Sequence, residues 1–250
     1  MKRIHIRMHL SGLSNTKCLT YNGHMRKKSF AEGGYYHIYN RGVEKRDIFL
    51  DDHDRWRFLT LLLVLQGNMH FPQVGRLVSL VKHLVFDKSV DSRIDEQDMF
   101  KDVLSNRMVE LVCFCLMPNH FHLVLYETKE GGISKFMQRL GDGYTKYERS
   151  GHLFGGVFQS VPIDKNEYLN YLLAYVHLNP HTLKAWHRKE DQYPWSSYYD
   201  YVKTNRWGNF LNPSVVLEQF SVSEYKQFVK GSRNNIDIED IYLIDNVSNT

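Results

Sequence analysis

The sequence predicts an α+β protein in which an antiparallel sheet carries helices packed on it, and two observations predict this. Apolar runs over residues 109–117 and 120–126 flank Pro118-Asn119, the pattern of a β-hairpin, although Pro-Asn is not a favoured two-residue turn. Segments with apolar residues at helical spacing separate that hairpin from shorter strand-like runs on either side. The resulting order, β-α-β-β-α-β-α, joins strands both by a hairpin and by helices, as in ferredoxin- and RRM-like arrangements.

Residues 1–29 read as an N-terminal arm, disordered or lying upstream of the true start. Ser11, Gly12, Asn15, Asn22 and Gly23 punctuate it, and Met25 opens the basic run MRKKS. YYHIY at 35–39 has strand composition, and Asn40-Arg41-Gly42 is expected to break it. Asp51 or Asp52 caps a helix with Trp56, Leu59, Leu62 and Leu63 at helical spacing, ending near Leu65. Residues 71–106 form an insertion with helical pieces around Val78, Val81, Leu84 and Val85, while DKSVDSRIDEQD within it is too polar to add much core. After the hairpin, residues 134–147 are helical. Gly141 and Gly143 are each roughly 1 kcal/mol less favourable there than alanine, which predicts a kink. Residues 157–163 supply a fourth strand, and a helix over 167–179 stops at Pro180. A main domain therefore covers 30–205, and a C-terminal helical extension, 206–250, holds a helix over 222–229.

The chain has 250 residues, with 32 Lys and Arg against 28 Asp and Glu. A net charge of +4 permits nucleic-acid binding without demanding it, because phosphate contacts need a local basic stripe. No apolar run approaches a membrane span. The N-terminal MKRIHIRMHLSG lacks a signal-peptide apolar core, so the cytoplasm is the expected compartment. Three cysteines make no disulfide framework. The 16 tyrosines serve base stacking or, more simply, core packing.

Three features carry chemistry. In MPNHFHLVL, His120 and His122 are i and i+2 in a strand and project from one face, which can hold one divalent cation with positions left open for a phosphate oxygen. The plainer alternative is two polar residues on a solvated sheet face. A rival metal reading adds Cys113 and Cys115, but Cys113 and His120 stand roughly 10 Å apart along the strands, too far for one tetrahedral zinc. The second feature is YLLAYVHLNP at 171–180, where Tyr175 and Asn179 are i, i+4 neighbours at the border of an apolar helix face. They bring a nucleophile and a metal or phosphate contact together, or simply snorkel and end the helix. The third is a stripe of Lys135, Arg139, Lys146 and Arg149 within ~80° on one helix, opposite Phe136, Leu140 and Tyr144. It contacts nucleic acid or is a solvated face.

Together these features resemble the REP-associated tyrosine transposases of the HUH superfamily of single-strand DNA transposases. The resemblance is carried by YYHIYNRG at 35–42, CLMPNHFHLVL at 115–125, YTKYERSGHLFGGVFQS at 144–160, YLLAYVHLNP at 171–180 and YPWSSYYDY at 193–201. It implies that His120 and His122 bind catalytic Mg²⁺ or Mn²⁺, with Asn179 as an amide-type third ligand. It further implies that Tyr175 is the nucleophile, with Tyr171 and Tyr168 as fallbacks. The implied partner is single-stranded DNA bearing a REP-like hairpin, contacted by Lys135, Arg139, Lys146, Arg149 and Arg41. Such an enzyme nicks and rejoins DNA through a 5′-phosphotyrosine, as monomer or homodimer. Departures from the pattern are Val157 and Gln159 where relatives tend to carry Arg and Lys, the long 71–106 segment, and HTLKAW after Asn179-Pro180. The competing function is a catalytically inactive nucleic-acid-binding protein of the same fold.

Overall fold

The computed structural model describes residues 30–71, 73–86, 98–148 and 152–233; the expected N-terminal arm and Arg149 lie outside the described residues. Alternating side chains in YYHIYNR form the first strand, β1 (Tyr35–Arg41), which runs through the expected break. Asn40 and Arg41 stay in the strand because each is paired, Asn40 with Phe121 and Arg41 with His120. The chain turns only at Gly42, where any Cβ would collide with the Arg46 carbonyl oxygen.

Three helices follow: α1 (Asp52–Val64), α2 (Val74–Phe86) and α3 (Asp98–Ser105). Asp51 caps α1 by accepting from the Asp54 amide at 3.0 Å. The hairpin comprises β2 (Val109–Met117) and β3 (His120–Glu127). Its Pro118-Asn119 turn is held from outside rather than by its own propensity. The Pro118 carbonyl accepts from the Ile48 and Phe49 amides, and the Asn119 carbonyl accepts from that of Gly42. The helix α4 (Gly132–Glu148) begins on the buried Glu127, whose two carboxylate oxygens accept from the Gly132 and Ile133 amides at 3.0 and 2.7 Å. It runs unbroken through Gly141 and Gly143, because buried Phe136, Leu140 and Tyr144 anchor both halves and packing overrides the local glycine penalty.

The strand β4 (Gln159–Ile163) precedes α5 (Asn166–Leu178), and α6 (Tyr198–Val202), α7 (Ser214–Leu217) and α8 (Val222–Ser232) follow among the described residues. The sheet order is β2-β3-β1-β4, with every neighbouring pair antiparallel. This is the split βαβ order expected from the sequence.

Opposed residues share a face, so the register sorts the side chains. Tyr39 opposes His122, Arg41 opposes His120, and Cys115 opposes His122 from the other side. These residues define one face. The other carries Ile38, Phe121, Leu123 and Phe114 and packs against α1 and α4, with the Phe58 ring 5.1 Å from Phe121 and 5.0 Å from Tyr144. The helix α5 covers the histidine face, and α4 lies on the opposite side of the sheet.

The expected helical pieces of the 71–106 segment are present as α2, which packs on α1, and α3; Leu77, Val78, Val81, Phe100 and Val103 are buried, while all of DKSVDSRIDEQD but Asp98 lies outside the described residues. Within the described part of the C-terminal extension, Tyr225 and Val229 of α8 are buried in the core. No helix among the described residues is long and apolar enough to cross a membrane.

Candidate active site

The i, i+2 spacing of His120 and His122 delivers both rings to the α5 side of β3, and the solvated-face alternative does not hold, since both are buried. The Asn119 side chain orients His120. Its Nδ2 donates to the Lys45 carbonyl at 3.1 Å, leaving Oδ1 to accept from His120 Nδ1 at 2.7 Å. The lone pair of His120 therefore sits on Nε2. That nitrogen lies 3.2 Å from Asn179 Oδ1, and Asn179 Nδ2 is turned toward the Tyr175 carbonyl at 3.5 Å. In the neutral ring these are two acceptors turned toward one another, and a cation held by both would satisfy them.

His122 is fully buried. Its Nδ1 is 2.9 Å from His37 Nε2, and its Nε2 has no hydrogen-bond partner among the described residues. Burial pushes the His122 pKa well below the ordinary range, and the nearby His120, His37 and Arg41 charges act in the same direction. Burial alone pushes His37 down to about 3. His122 and His37 are therefore neutral at pH 7, and each carries a lone pair on one ring nitrogen, as a metal ligand requires. The donor set of two imidazoles and one amide oxygen fits a divalent cation that keeps open positions. No group of three His, Cys, Asp or Glu able to hold a metal occurs among the described residues. The cysteine reading fails as well, because Cys113 Sγ faces His177 Nε2 at 3.2 Å and Ser197 Oγ at 3.4 Å, and burial raises both thiols.

Tyr175 is more buried than a helix-border position predicts, at 7% exposure. Its ring stands edge-on to His122 at 5.4 Å and to His37 at 6.2 Å. The fallback Tyr171 is exposed and packs on Phe228 of α8 at 5.3 Å, away from the pair, and Tyr168 lies two turns earlier. Sequence reasoning missed His37. Its signal was present in the alternation of YYHIY, which puts His37 on the same face as Tyr39, but only the pairing of β1 with β3 brings that face to His122.

The basic residues divide. Arg41 opposes His120 in the register, and its charge is felt at His122. Lys135 and Lys146 are exposed on α4, across the sheet from the histidines. Arg139 is a correction: its guanidinium donates to the Gly67 carbonyl at 2.6 Å and to the Met69 carbonyl, tying α4 to the segment after α1 instead of facing a ligand. A basic loop that the sequence reading did not select follows Asn179. Between residues 181 and 189 there is no acidic residue, and Lys184, Arg188 and Lys189 are exposed. Buried Glu190 pins this loop, accepting from His181 Nδ1 at 2.7 Å and the Arg188 amide at 3.0 Å through Oε1, and from Arg233 at 2.7 Å through Oε2.

A search of curated proteins finds no match. Among solved structures, the chain is similar to one described as "Structure of the REP associates tyrosine transposase bound to a REP hairpin", at 13% identity and a TM-score of 0.48, covering 77% of this chain and 92% of that one. The model of the family described as "Transposase IS200 like" matches residues 77–178, the stretch that contains His120, His122 and Tyr175. Over that stretch, which is less than half of the chain, the sequence is similar to the IS200-like transposases.

Proposed function

We propose that this protein is a metal-dependent single-stranded DNA transposase that nicks and rejoins hairpin-bearing DNA through a 5′-phosphotyrosine, with Tyr175 as nucleophile. One observation carries the reading. The Tyr175 ring lies against His122, and Asn179, which caps the C-terminus of the same helix, directs its amide oxygen at His120, so nucleophile and metal-type donors converge. His120, His122 and Asn179 would hold Mg²⁺ or Mn²⁺, which when bound supplies Lewis-acid polarisation of a phosphoryl oxygen.

The chain's own residues do the rest. Tyr175 Oη forms a bond to phosphorus as the bond from phosphorus to the 3′ oxygen breaks, and the phenol's proton ends on the released 3′-hydroxyl. The reverse attack by a 3′-hydroxyl restores the phosphodiester and the phenol, so no nucleotide triphosphate is consumed. Arg41, beside His120, offers a fixed positive charge to the phosphate. Lys184, Arg188 and Lys189 hold the strand that leaves the site, while Lys135 and Lys146, across the sheet, grip the hairpin stem. Burial of Tyr175 among imidazoles keeps water from the phosphotyrosine and so favours rejoining over hydrolysis.

The test is a denaturation-resistant adduct between the protein and labelled hairpin oligonucleotides from its own genomic flanks, with Mn²⁺ or with EDTA. An Mn²⁺-dependent adduct that maps to Tyr175 and is reduced on the order of 10⁴-fold or more in Tyr175→Phe is expected. Tight binding without any adduct would establish the inactive binding protein instead, and an adduct that survives in Tyr175→Phe would move the nucleophile to Tyr171 or Tyr168.

A further inference from the structure

We infer that His37 is a positioning residue that sets the tautomer of His122 and so makes its Nε2 available to a metal. The inference rests on the reading of His120 and His122 as ligands. From β1, His37 reaches diagonally to the neighbouring strand, placing its Nε2 2.9 Å from His122 Nδ1 with ring centroids 5.1 Å apart. A hydrogen bond between two imidazole nitrogens contains one proton, so one ring donates and the other accepts.

Two arrangements are open to the pair. If His37 donates, His122 carries its own proton on Nε2, which is then a buried donor without an acceptor among the described residues and has no lone pair to offer. If His122 Nδ1 donates, the lone pair falls on Nε2 and His37 accepts. The second arrangement is the ligating one. His120 has no such choice, because the Asn119 oxygen facing its Nδ1 can only accept. The site thus pairs one ligand of fixed tautomer with one whose tautomer depends on His37.

The nature of the partner has a consequence of its own. Histidine ligands are commonly oriented by a carboxylate, which adds negative charge and weakens the pull of the cation. Here the partner is a neutral imidazole, buried at 1% exposure. A cation held there would be left with more of its charge for the phosphate than one whose ligand is oriented by a carboxylate.

The measurement is Mn²⁺ affinity without DNA, by calorimetry or by electron paramagnetic resonance of free Mn²⁺, for the wild type, His37→Phe and His37→Gln. His37→Phe fills the space but cannot accept, and is expected to weaken Mn²⁺ binding 10- to 100-fold. Binding of hairpin DNA in EDTA should be unchanged. His37→Gln, whose Oε1 can accept from His122 Nδ1, should restore most of the affinity. Imidazole ¹⁵N spectra of the Mg²⁺-loaded wild type give a readout independent of any variant's folding, with His122 expected as the Nδ1–H tautomer. Unchanged affinity in His37→Phe, no recovery in His37→Gln, or an Nε2–H tautomer for His122 would each overturn the inference. A wild type that binds Mn²⁺ no better than the His120→Ala, His122→Ala double variant would instead overturn the reading of the histidines as ligands.

Discussion

Two buried histidine clusters flank α5, and they differ in whether their polar atoms are satisfied. Tyr175 and His177 are two residues apart, about 200° around the helix, so they face opposite flanks. On one flank, every imidazole nitrogen of His177 is occupied: Nε2 meets Cys113 Sγ at 3.2 Å and Ser197 Oγ at 3.0 Å, and Nδ1 meets the Tyr225 hydroxyl at 2.8 Å. Its ring is clamped between Tyr198 at 5.0 Å and Tyr201 at 4.8 Å. On the other flank, His122 Nε2 has no hydrogen-bond partner among the described residues, and His120 Nε2 faces an amide oxygen rather than a donor. Each cluster is built on a fully buried histidine, His177 in one and His122 in the other. A closed network holds structure together, whereas an open one is built for a group that arrives from outside.

The sharpest way to break this comparison is to open the closed cluster. His177→Ala leaves Tyr225, Ser197 and Cys113 without their shared partner in a fully buried place and releases α8 from α5. The expected loss is about 3 kcal/mol of stability, seen as a melting temperature lower by roughly 6–12 °C. Mn²⁺ affinity of the folded fraction should stay within about twofold of wild type. His122→Ala should do the opposite, abolishing Mn²⁺ binding with a smaller loss of stability, because His122 gives up a single hydrogen bond. If both variants lost metal and stability together, the two flanks would be one unit and the distinction would fail.

Acid probes the same distinction with a smaller effect. Burial pushes both His177 and His37 down to about 3, while in the unfolded chain each takes up a proton near pH 6.5. Their folded pKa values are depressed, so the native state excludes a proton that the unfolded state binds. Stability is then full above pH 6.5 and falls as the pH drops toward 3, by up to about 1.4 kcal/mol per pH unit for each histidine. Denaturant unfolding at pH 7, 6 and 5 should show this decline, and His177→Ala should flatten it by about one histidine's share. An unchanged slope in that variant would mean that His177 is protonated in the native protein.

What was legible in the sequence follows from which relations are local. The i, i+2 spacing of His120 and His122 and the i, i+4 spacing of Tyr175 and Asn179 are fixed by strand and helix geometry, and the structure brings these four residues together. His37 was invisible as a site residue because its partner lies 85 positions away, and only the β1–β3 register connects them. The basic stripe on α4 was correctly amphipathic, but periodicity cannot say which side of a sheet a helix will cover. Arg139 was misread for a related reason: the carbonyls it binds belong to a segment some 70 residues earlier. The break expected at Asn40 and Arg41 failed because strand pairing overrode turn composition.

The smallest effects sharpen the contrast between the two sides of the sheet. Lys184, Arg188 and Lys189 follow Asn179 directly, on a loop that Glu190 holds in place, whereas Lys135 and Lys146 stand behind the sheet on α4. If the first group holds the unpaired strand, its removal acts on single-stranded DNA. Taking one cationic side chain away from a phosphate should reduce the salt dependence of binding by about 0.7 in log–log slope, or about 2 for the Lys184→Ala, Arg188→Ala, Lys189→Ala variant. The Lys135→Ala, Lys146→Ala variant should leave that slope alone and lower the slope for the hairpin stem by about 0.9 per lysine. Equal losses on both substrates from both variants would show that the sheet does not separate strand from stem, and the two sides would then belong to one continuous basic surface.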